Sequence, residues 1–165
     1  MTAVEIIESL DLKPHPEGGY FKEAYRSQGI ISQKCLGEQF EGDRNYATGI
    51  YFLLTSDTFS AFHRIRQDEA WHFYLGSPLR LHSLSEKAGH EEFVIGADLL
   101  DGQIPQLVVP ADHWFAAEVM AEDGFALVGC TVSPGFDFRD FELADQNKLT
   151  ATFPDHAALV AKFTR

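Results

Sequence analysis

Between Phe59 and Gly76 the chain reads FSAFHRIRQDEAWHFYLG, and two of these residues have the chemistry of a site. If the segment alternates as a strand does, Phe59, Ala61, His63 and Ile65 share one face, while Ser60, Arg64 and Arg66 take the other with Phe62. His63 then falls on the more apolar, inward face. After the following turn, Glu69, Trp71, Phe73 and Leu75 share a face, which carries a carboxylate into an aromatic-lined interior. Burial of a carboxylate is costly unless something pairs with it. Taken singly, His63 also reads as a core histidine and Glu69 as a turn residue. Aimed inward together from neighbouring strands, they form an acid/base pair or half of a metal site.

Other residues join this pair as expectations. Trp71 and Phe73 are expected to wall the cavity, with Trp114 as a further ligand-facing aromatic. His72 lies three residues from Glu69, which in a plain strand turns it to the opposite face. A β-bulge between the two would bring it back as a third donor. In His15-Pro16-Glu17-Gly18-Gly19, proline restricts the residue before it and the glycines allow positive φ or close backbone approach. That string reads either as a loop at the pocket mouth, with Glu17 or Glu23 facing a ligand, or as a turn into the first strand. Ser133 to Asp140 mixes aromatic and charged residues and reads as a pocket rim or an edge contact.

Several familiar signatures are absent. There is no G-x-x-x-x-G-K-[ST] phosphate loop, no G-x-G-x-x-G, no G-x-S-x-G and no C-x-x-C. His90-Glu91-Glu92-Phe93-Val94 begins like a zinc-protease helix but lacks the second histidine, and it reads as a polar turn leading into a strand.

The elements that must position these groups are mostly strands. Tyr46 to Leu54, Phe59 to Arg66, Ala70 to Leu75, Leu79 to Ser85, Glu91 to Ala97, Gln106 to Val109, Trp114 to Val119 and Phe125 to Val132 are short and rich in β-branched and aromatic residues. Gly, Pro, Asp or Ser separates them. With no helical periods between them, they predict an antiparallel sandwich or barrel. Short helices are expected at both ends. Thr2 and Glu5 make a capping box before Ile6, Ile7 and Leu10, and Asp155 opens a second helix with Leu159, Val160 and Phe163 on one face.

Composition narrows the partners. The chain has 165 residues, 45% of them hydrophobic and 14 of them Phe, enough for a core without disulfides or a structural metal. A formal charge of -12 argues against nucleic-acid binding, which needs clustered Lys and Arg. The opening Met1-Thr2-Ala3-Val4-Glu5 has no basic n-region, and no apolar run approaches the roughly 18 residues of a membrane span. The expected location is the cytoplasm, with Cys35 and Cys130 as reduced thiols.

His63, then Glu69, then six residues to Gly76 resembles the first signature of the cupin superfamily, H-x-H-x3,4-E-x6-G, with Ile65 in place of the second histidine. The strings His15-Pro16-Glu17-Gly18-Gly19-Tyr20, Glu23-Ala24-Tyr25-Arg26-Ser27, Asp68-Glu69-Ala70-Trp71-His72 and Gly129 to Phe136 are similar to those of a small, largely uncharacterised single-domain cupin family. The resemblance runs from about Leu12 to Leu143. It implies an all-β cupin jelly roll, a double-stranded β-helix with short terminal helices, spanning 1–165 as one domain and forming a homodimer. The second signature, P-x-G-x-x-H, falls at Pro110 to Phe115, where Asp112 replaces the glycine and Phe115 the metal-binding histidine.

Three functions follow from the resemblance. One is a metal-independent epimerase or isomerase of the sugar-epimerase type, with His63 as base, Glu69 as its partner and Tyr51 or Tyr74 as acid. Another is a small-ligand-binding cupin without catalysis. The last is a divalent-metal enzyme held by His63, Glu69 and His72. The first two need no cofactor, and the partner in all three is a small molecule, with neither nucleic acid nor membrane involved.

Overall fold

The computed structural model describes residues 1–165. In chain order its elements are α1 (Ala3–Leu10), β1 (Lys13–Pro14), β2 (Tyr20–Arg26), β3 (Ile30–Ile31), β4 (Arg44–Asn45), β5 (Thr48–Thr55), β6 (Phe59–Arg64), β7 (Asp68–Gly76) and β8 (Leu79–Ser85). There follow β9 (Gly89–Ile95), β10 (Gln106–Val109), β11 (Trp114–Val119), β12 (Phe125–Ser133), β13 (Glu142–Leu143), α2 (Gln146–Thr152) and α3 (Ala157–Lys162), with single 3-10 turns between some of them. One sheet runs β1-β2-β5-β12-β7-β10 and a second runs β13-β6-β11-β8-β9, all antiparallel. The fold is a jelly roll. No helix is long and apolar enough to cross a membrane.

The core lies between the sheets. Phe52, Trp71, Leu79, Leu81, Phe115 and Val128 are buried there, contributed by alternate positions of both inner faces. The outer faces are covered by the chain ends. Thr2 and Glu5 close the capping box, with Thr2 N donating to Glu5 Oε2 at 2.7 Å, and α1 lays Ile6 against Leu53 and Leu127. At the other end Leu149, Phe153, Val160 and Phe163 pack on Phe62, Leu84 and Ala116 of the second sheet. That end holds two helices where the sequence reading has one. In α2 the cap is Asp145, accepting from Lys148 N at 2.9 Å, but Leu149 is its only buried residue, so no apolar stripe marks it.

The strands expected from the sequence are present within a few residues of their expected ends, and β2 is added beside β5. β2 shows a mostly exposed pattern, so it carries no alternation to read.

Three register shifts decide which side chains face the cavity. In β2 the shift falls between Glu23 and Tyr25, so that Glu23 pairs with Ile50 and Arg26 with Thr48. In β6 it falls where Phe115 pairs with His63 but Ala117 pairs with Ser60. In β7 it falls at Tyr74, with Val128 against Phe73 and Leu127 against Leu75. Each inserts one residue and breaks the period-two rule locally. The expected faces are corrected accordingly. Ser60 turns inward with His63, Phe59 turns outward onto Phe163, and Leu75 leaves the face of Trp71 and Phe73 for the outer cluster.

Candidate functional site

The His-Pro-Glu-Gly-Gly string is a tight turn and a pocket wall at once. His15 N donates to Gly19 O and Gly18 N to His15 O, each at 3.0 Å. Gly18 has φ +115°, and a Cβ there would lie 2.1 Å from the Phe59 carbonyl oxygen. Only glycine permits that approach. Pressed against β6, the loop lets Ala61 N donate to Glu17 O at 2.8 Å and drives the Glu17 side chain inward, where the residue is 5% exposed.

Both carboxyl oxygens of Glu17 are engaged. Ser60 Oγ donates to Oε1 at 2.8 Å, and Oε2 lies 3.0 Å from His63 Nε2 and 3.4 Å from His15 Nδ1. The other nitrogen of His63, Nδ1, is 2.7 Å from the Ala61 carbonyl oxygen. A carbonyl only accepts, so Nδ1 carries the proton and Nε2 of a neutral ring presents its lone pair to Glu17. Burial holds His63 down at about 3, and burial with the nearby Glu69 charge raises Glu17 well above the carboxylate range. Both shifts favour the neutral pair, in which the Glu17 carboxyl donates to the imidazole. The ring is fixed between Phe115 and Phe141, with centroids 4.1 Å and 5.4 Å away.

Glu69 enters from β7 beside Cys130 of β12. Burial pushes Glu69 up to about 7, partly offset by the Cys130 thiol and the Trp71 N–H, and the same burial with the Glu69 charge pushes Cys130 up. Trp71 Nε1 has no partner of good hydrogen-bond geometry. Cys35 and Cys130 are both free thiols, the first exposed and the second buried.

These groups open on one cavity of about 320 Å³. Ile50, Phe52, Ile65 and Val132 make its apolar wall, and Phe136, Phe138 and Phe141 its rim. Arg26 is the only Lys or Arg among the lining residues, and its guanidinium is already committed. Nε and Nη2 donate to the two carboxylate oxygens of Glu23 at 2.8 and 2.7 Å, and Nη1 donates to Asn45 Oδ1. The rim segment is anchored by Asp140, which accepts from Arg44 at 2.6 and 2.7 Å and from Gln67 Nε2 at 2.7 Å, all buried.

Of the residues expected at the site, His63, Glu69, Glu17 and Glu23 line this cavity. The partner of His63 is Glu17, not Glu69. Trp71 stands behind the wall, edge-on to Phe52 and Phe115, and Phe73 packs in the same core. Trp114 faces the other side of its sheet, under the Arg64 guanidinium at 4.4 Å and beside the C-terminal helices. Tyr51 and Tyr74 pair edge-on at 6.2 Å on the outer face, with Tyr74 half exposed, so neither reaches the cavity. His72 also faces outward, 3.2 Å from Thr131 Oγ1, because the bulge of β7 comes at Tyr74, after His72 and not before it.

The expected metal-ligand set His63, Glu69 and His72 is therefore not assembled. Nor do the cavity's own donors fit a metal, since no three of their ligand atoms come within 4.8 Å of one another, and Phe115 lies tilted against His63 where a further histidine would be needed. Sequence reading missed His15, Ser60, Cys130, Arg26 and Phe141 as site residues, whereas the Ser133 to Asp140 segment read as a rim or an edge supplies Phe136 and Phe138 to the rim. Alternation through Val128, Cys130 and Val132 is a usable signal for Cys130; the bulge that turns Ser60 inward leaves none.

Comparison with known proteins agrees with this architecture. The chain is 30% identical over 145 residues to an uncharacterised protein of Saccharomyces cerevisiae, covering 82% of this chain and 72% of that one. Among solved structures it is similar to a hypothetical protein from Leishmania major, with a TM-score of 0.91, 34% identity and 99% of both chains covered. A Shewanella oneidensis protein matches with a TM-score of 0.88 and 39% identity over 100% of this chain and 98% of that one. The oxalate decarboxylase of Bacillus subtilis shares the fold alone, at 12% identity and a TM-score of 0.54. Residues 4–144 match the description Cupin superfamily (DUF985), and the chain belongs to that family.

Proposed function

We propose that the cavity carries out metal-independent proton transfer next to a carbonyl, as an epimerase or isomerase of a small, uncharged metabolite of the sugar class. The observation that carries this reading is the buried 3.0 Å contact of Glu17 with His63 in the same pocket as Glu69, which burial pushes up to about 7. Environments that hold one carboxyl protonated and another near neutrality supply an acid and a base together. The roles shift from those expected in the sequence. His63, held at about 3 and occupied by Glu17, is a weak base. Glu69 takes the carbon-bound proton while the Glu17 proton, turned from His63 Nε2 to the substrate, moves to the carbonyl oxygen to give an enol, and Ser60 Oγ goes on donating to the resulting Glu17 carboxylate. Return of a proton to the opposite face, or to the neighbouring carbon, gives epimer or isomer.

The chemistry asks for neither metal nor cofactor. The apolar rim and the neutralised Arg26 support an uncharged ligand over a phosphorylated one. The homodimer implied by the resemblance belongs to the same reading, and light scattering at twice the 18.5 kDa of one chain tests it.

Solvent exchange tests the reaction. The protein is incubated in D2O with a panel of aldoses, ketoses and related hydroxy-carbonyl compounds, and loss of the proton next to the carbonyl is followed by NMR. Exchange that survives chelator and disappears in Glu69→Gln supports the reading. Saturable binding with no exchange of any ligand replaces it with a binding role, and exchange undiminished in Glu69→Gln removes Glu69 as the base.

A further inference from the structure

We propose that His82, His90 and Glu92 bind a divalent transition-metal ion of the zinc class on the outer face of the second sheet, away from the cavity. The hairpin of β8 and β9 sets His82 opposite Glu92 and Leu84 opposite His90, which puts the three donors on one face, two of them on a diagonal. His82 Nδ1 lies 3.1 Å from His90 Nε2 and 3.7 Å from Glu92 Oε2, and one ligand atom from each residue falls within 4.8 Å of the others. Two donors at about 2.0 to 2.1 Å from a tetrahedral zinc stand about 3.3 Å apart. The separations are those of ligands around a single ion.

The surroundings fix the donors in place. His82 is 4% exposed and packs against the Phe163 ring at 5.2 Å, so its orientation is set by the C-terminal helices. Arg80 Nε lies 3.0 Å from Glu92 Oε1, which leaves Oε2 turned toward His82. Glu92 is exposed and gives an ion its entry. Two imidazoles and a carboxylate suit zinc, nickel or copper better than calcium or magnesium, which prefer all-oxygen shells. The fourth position is left to water or to His156, whose ring centroid is 5.1 Å from that of His90. An ion here fastens the two strands of the hairpin to each other, and with His156 as fourth ligand it also ties them to the C-terminal segment.

The test uses the full chain, freed of metal with EDTA, desalted and titrated with Zn(II) alone by calorimetry, with Co(II) absorption as the reporter of coordination geometry. His90→Ala and Glu92→Gln change groups near the surface, and their thermal midpoints without metal verify that they fold. The expected result is one equivalent of zinc bound, an upward shift of the midpoint on the order of 5 °C at a hundredfold excess over Kd, and affinity weakened by about tenfold or more in both variants. Absence of saturable uptake overturns the site. So does full affinity in His90→Ala, or uptake lost in His63→Ala while His90→Ala keeps it, which places the ion in the cavity.

Discussion

Ser60 and His63, three residues apart on one strand, reach the two oxygens of the same carboxyl group. Ser60 Oγ donates to Glu17 Oε1 at 2.8 Å and His63 Nε2 meets Oε2 at 3.0 Å. In a regular strand, residues three apart face opposite sides of the sheet. The extra residue that shifts β6 against β11 turns Ser60 to the side of His63. A bulge thus sets the proposed acid of this site, holding Glu17 from two directions while the glycine turn pushes it in from a third.

The first prediction concerns that arrangement. In Glu17→Gln, the amide nitrogen donates to His63 Nε2 and the amide oxygen accepts from Ser60, so stability at neutral pH stays within about 1 kcal/mol of wild type. Proton transfer is lost all the same. Glu17→Ala strands a buried imidazole nitrogen and a hydroxyl, and unfolds about 2 to 4 kcal/mol more easily. Urea unfolding of both variants checks the difference, and equal destabilisation would mean the hydrogen bonds are not those described.

Glu69 sets a pH dependence of opposite sign to the usual salt-bridged carboxylate. Its ordinary value of 4.5 applies unfolded, and burial holds it at about 7 folded. Between the two, the folded state binds more proton, so stability falls as pH rises through this window and levels off above it. Glu69→Gln removes that loss and gains on wild type by up to about 1.4 kcal/mol per pH unit across the window. His63 works in reverse, because its lowered value makes the folded state lose stability as pH falls below 6.5 toward 3. Urea midpoints for wild type and Glu69→Gln at about pH 5 and about pH 8 should diverge in favour of the variant at the higher pH.

Asp140 is the anchor of the aromatic rim. Its side chain is 2% exposed and that of Arg44 1%, and Gln67 donates to the same carboxylate. Asp140→Ala leaves a buried guanidinium uncompensated, at a cost of about 3 to 5 kcal/mol. Chemical unfolding measures the loss. If the variant is as stable as wild type, the Arg44 pair does not hold the rim segment in solution.

How far the sequence shows all this differs from residue to residue. His63 and Glu69 are legible because alternation in an aromatic stretch points both inward, and the strands are legible because their apolar runs are interrupted by turn residues. Ser60, Arg26 and the outward turn of Leu75 are not, since each depends on a bulge, and a single inserted residue leaves no trace in composition. Plain alternation reads His72 correctly as facing away from Glu69, because the strand is regular across those three residues and shifts only later. Glu17 is visible as one of two loop carboxylates. Its pairing with His63 comes from a contact across the fold that no local spacing encodes.

Ligand charge gives another prediction. With Arg26 bound by Glu23, the cavity offers no free cation to a phosphate, and Glu17, Glu69 and Asp137 line the same space. Any sugar that raises the thermal midpoint of the protein should bind at least about tenfold more tightly than its phosphorylated counterpart, a difference of about 1.4 kcal/mol. A preference for the phosphorylated form would show that Arg26 leaves Glu23 on binding.

The most direct test is the protonation of His63 and Glu17 in the folded protein at neutral pH, read from the ring nitrogen shifts of labelled histidine and the side-chain carbon shift of labelled glutamate, assigned with His63→Gln and Glu17→Gln. The expected result is a neutral imidazole with its proton on Nδ1 and a protonated carboxyl at Glu17. A doubly protonated imidazolium facing a carboxylate would contradict it, because the pair would then be an ion pair and Glu17 would have no proton to give.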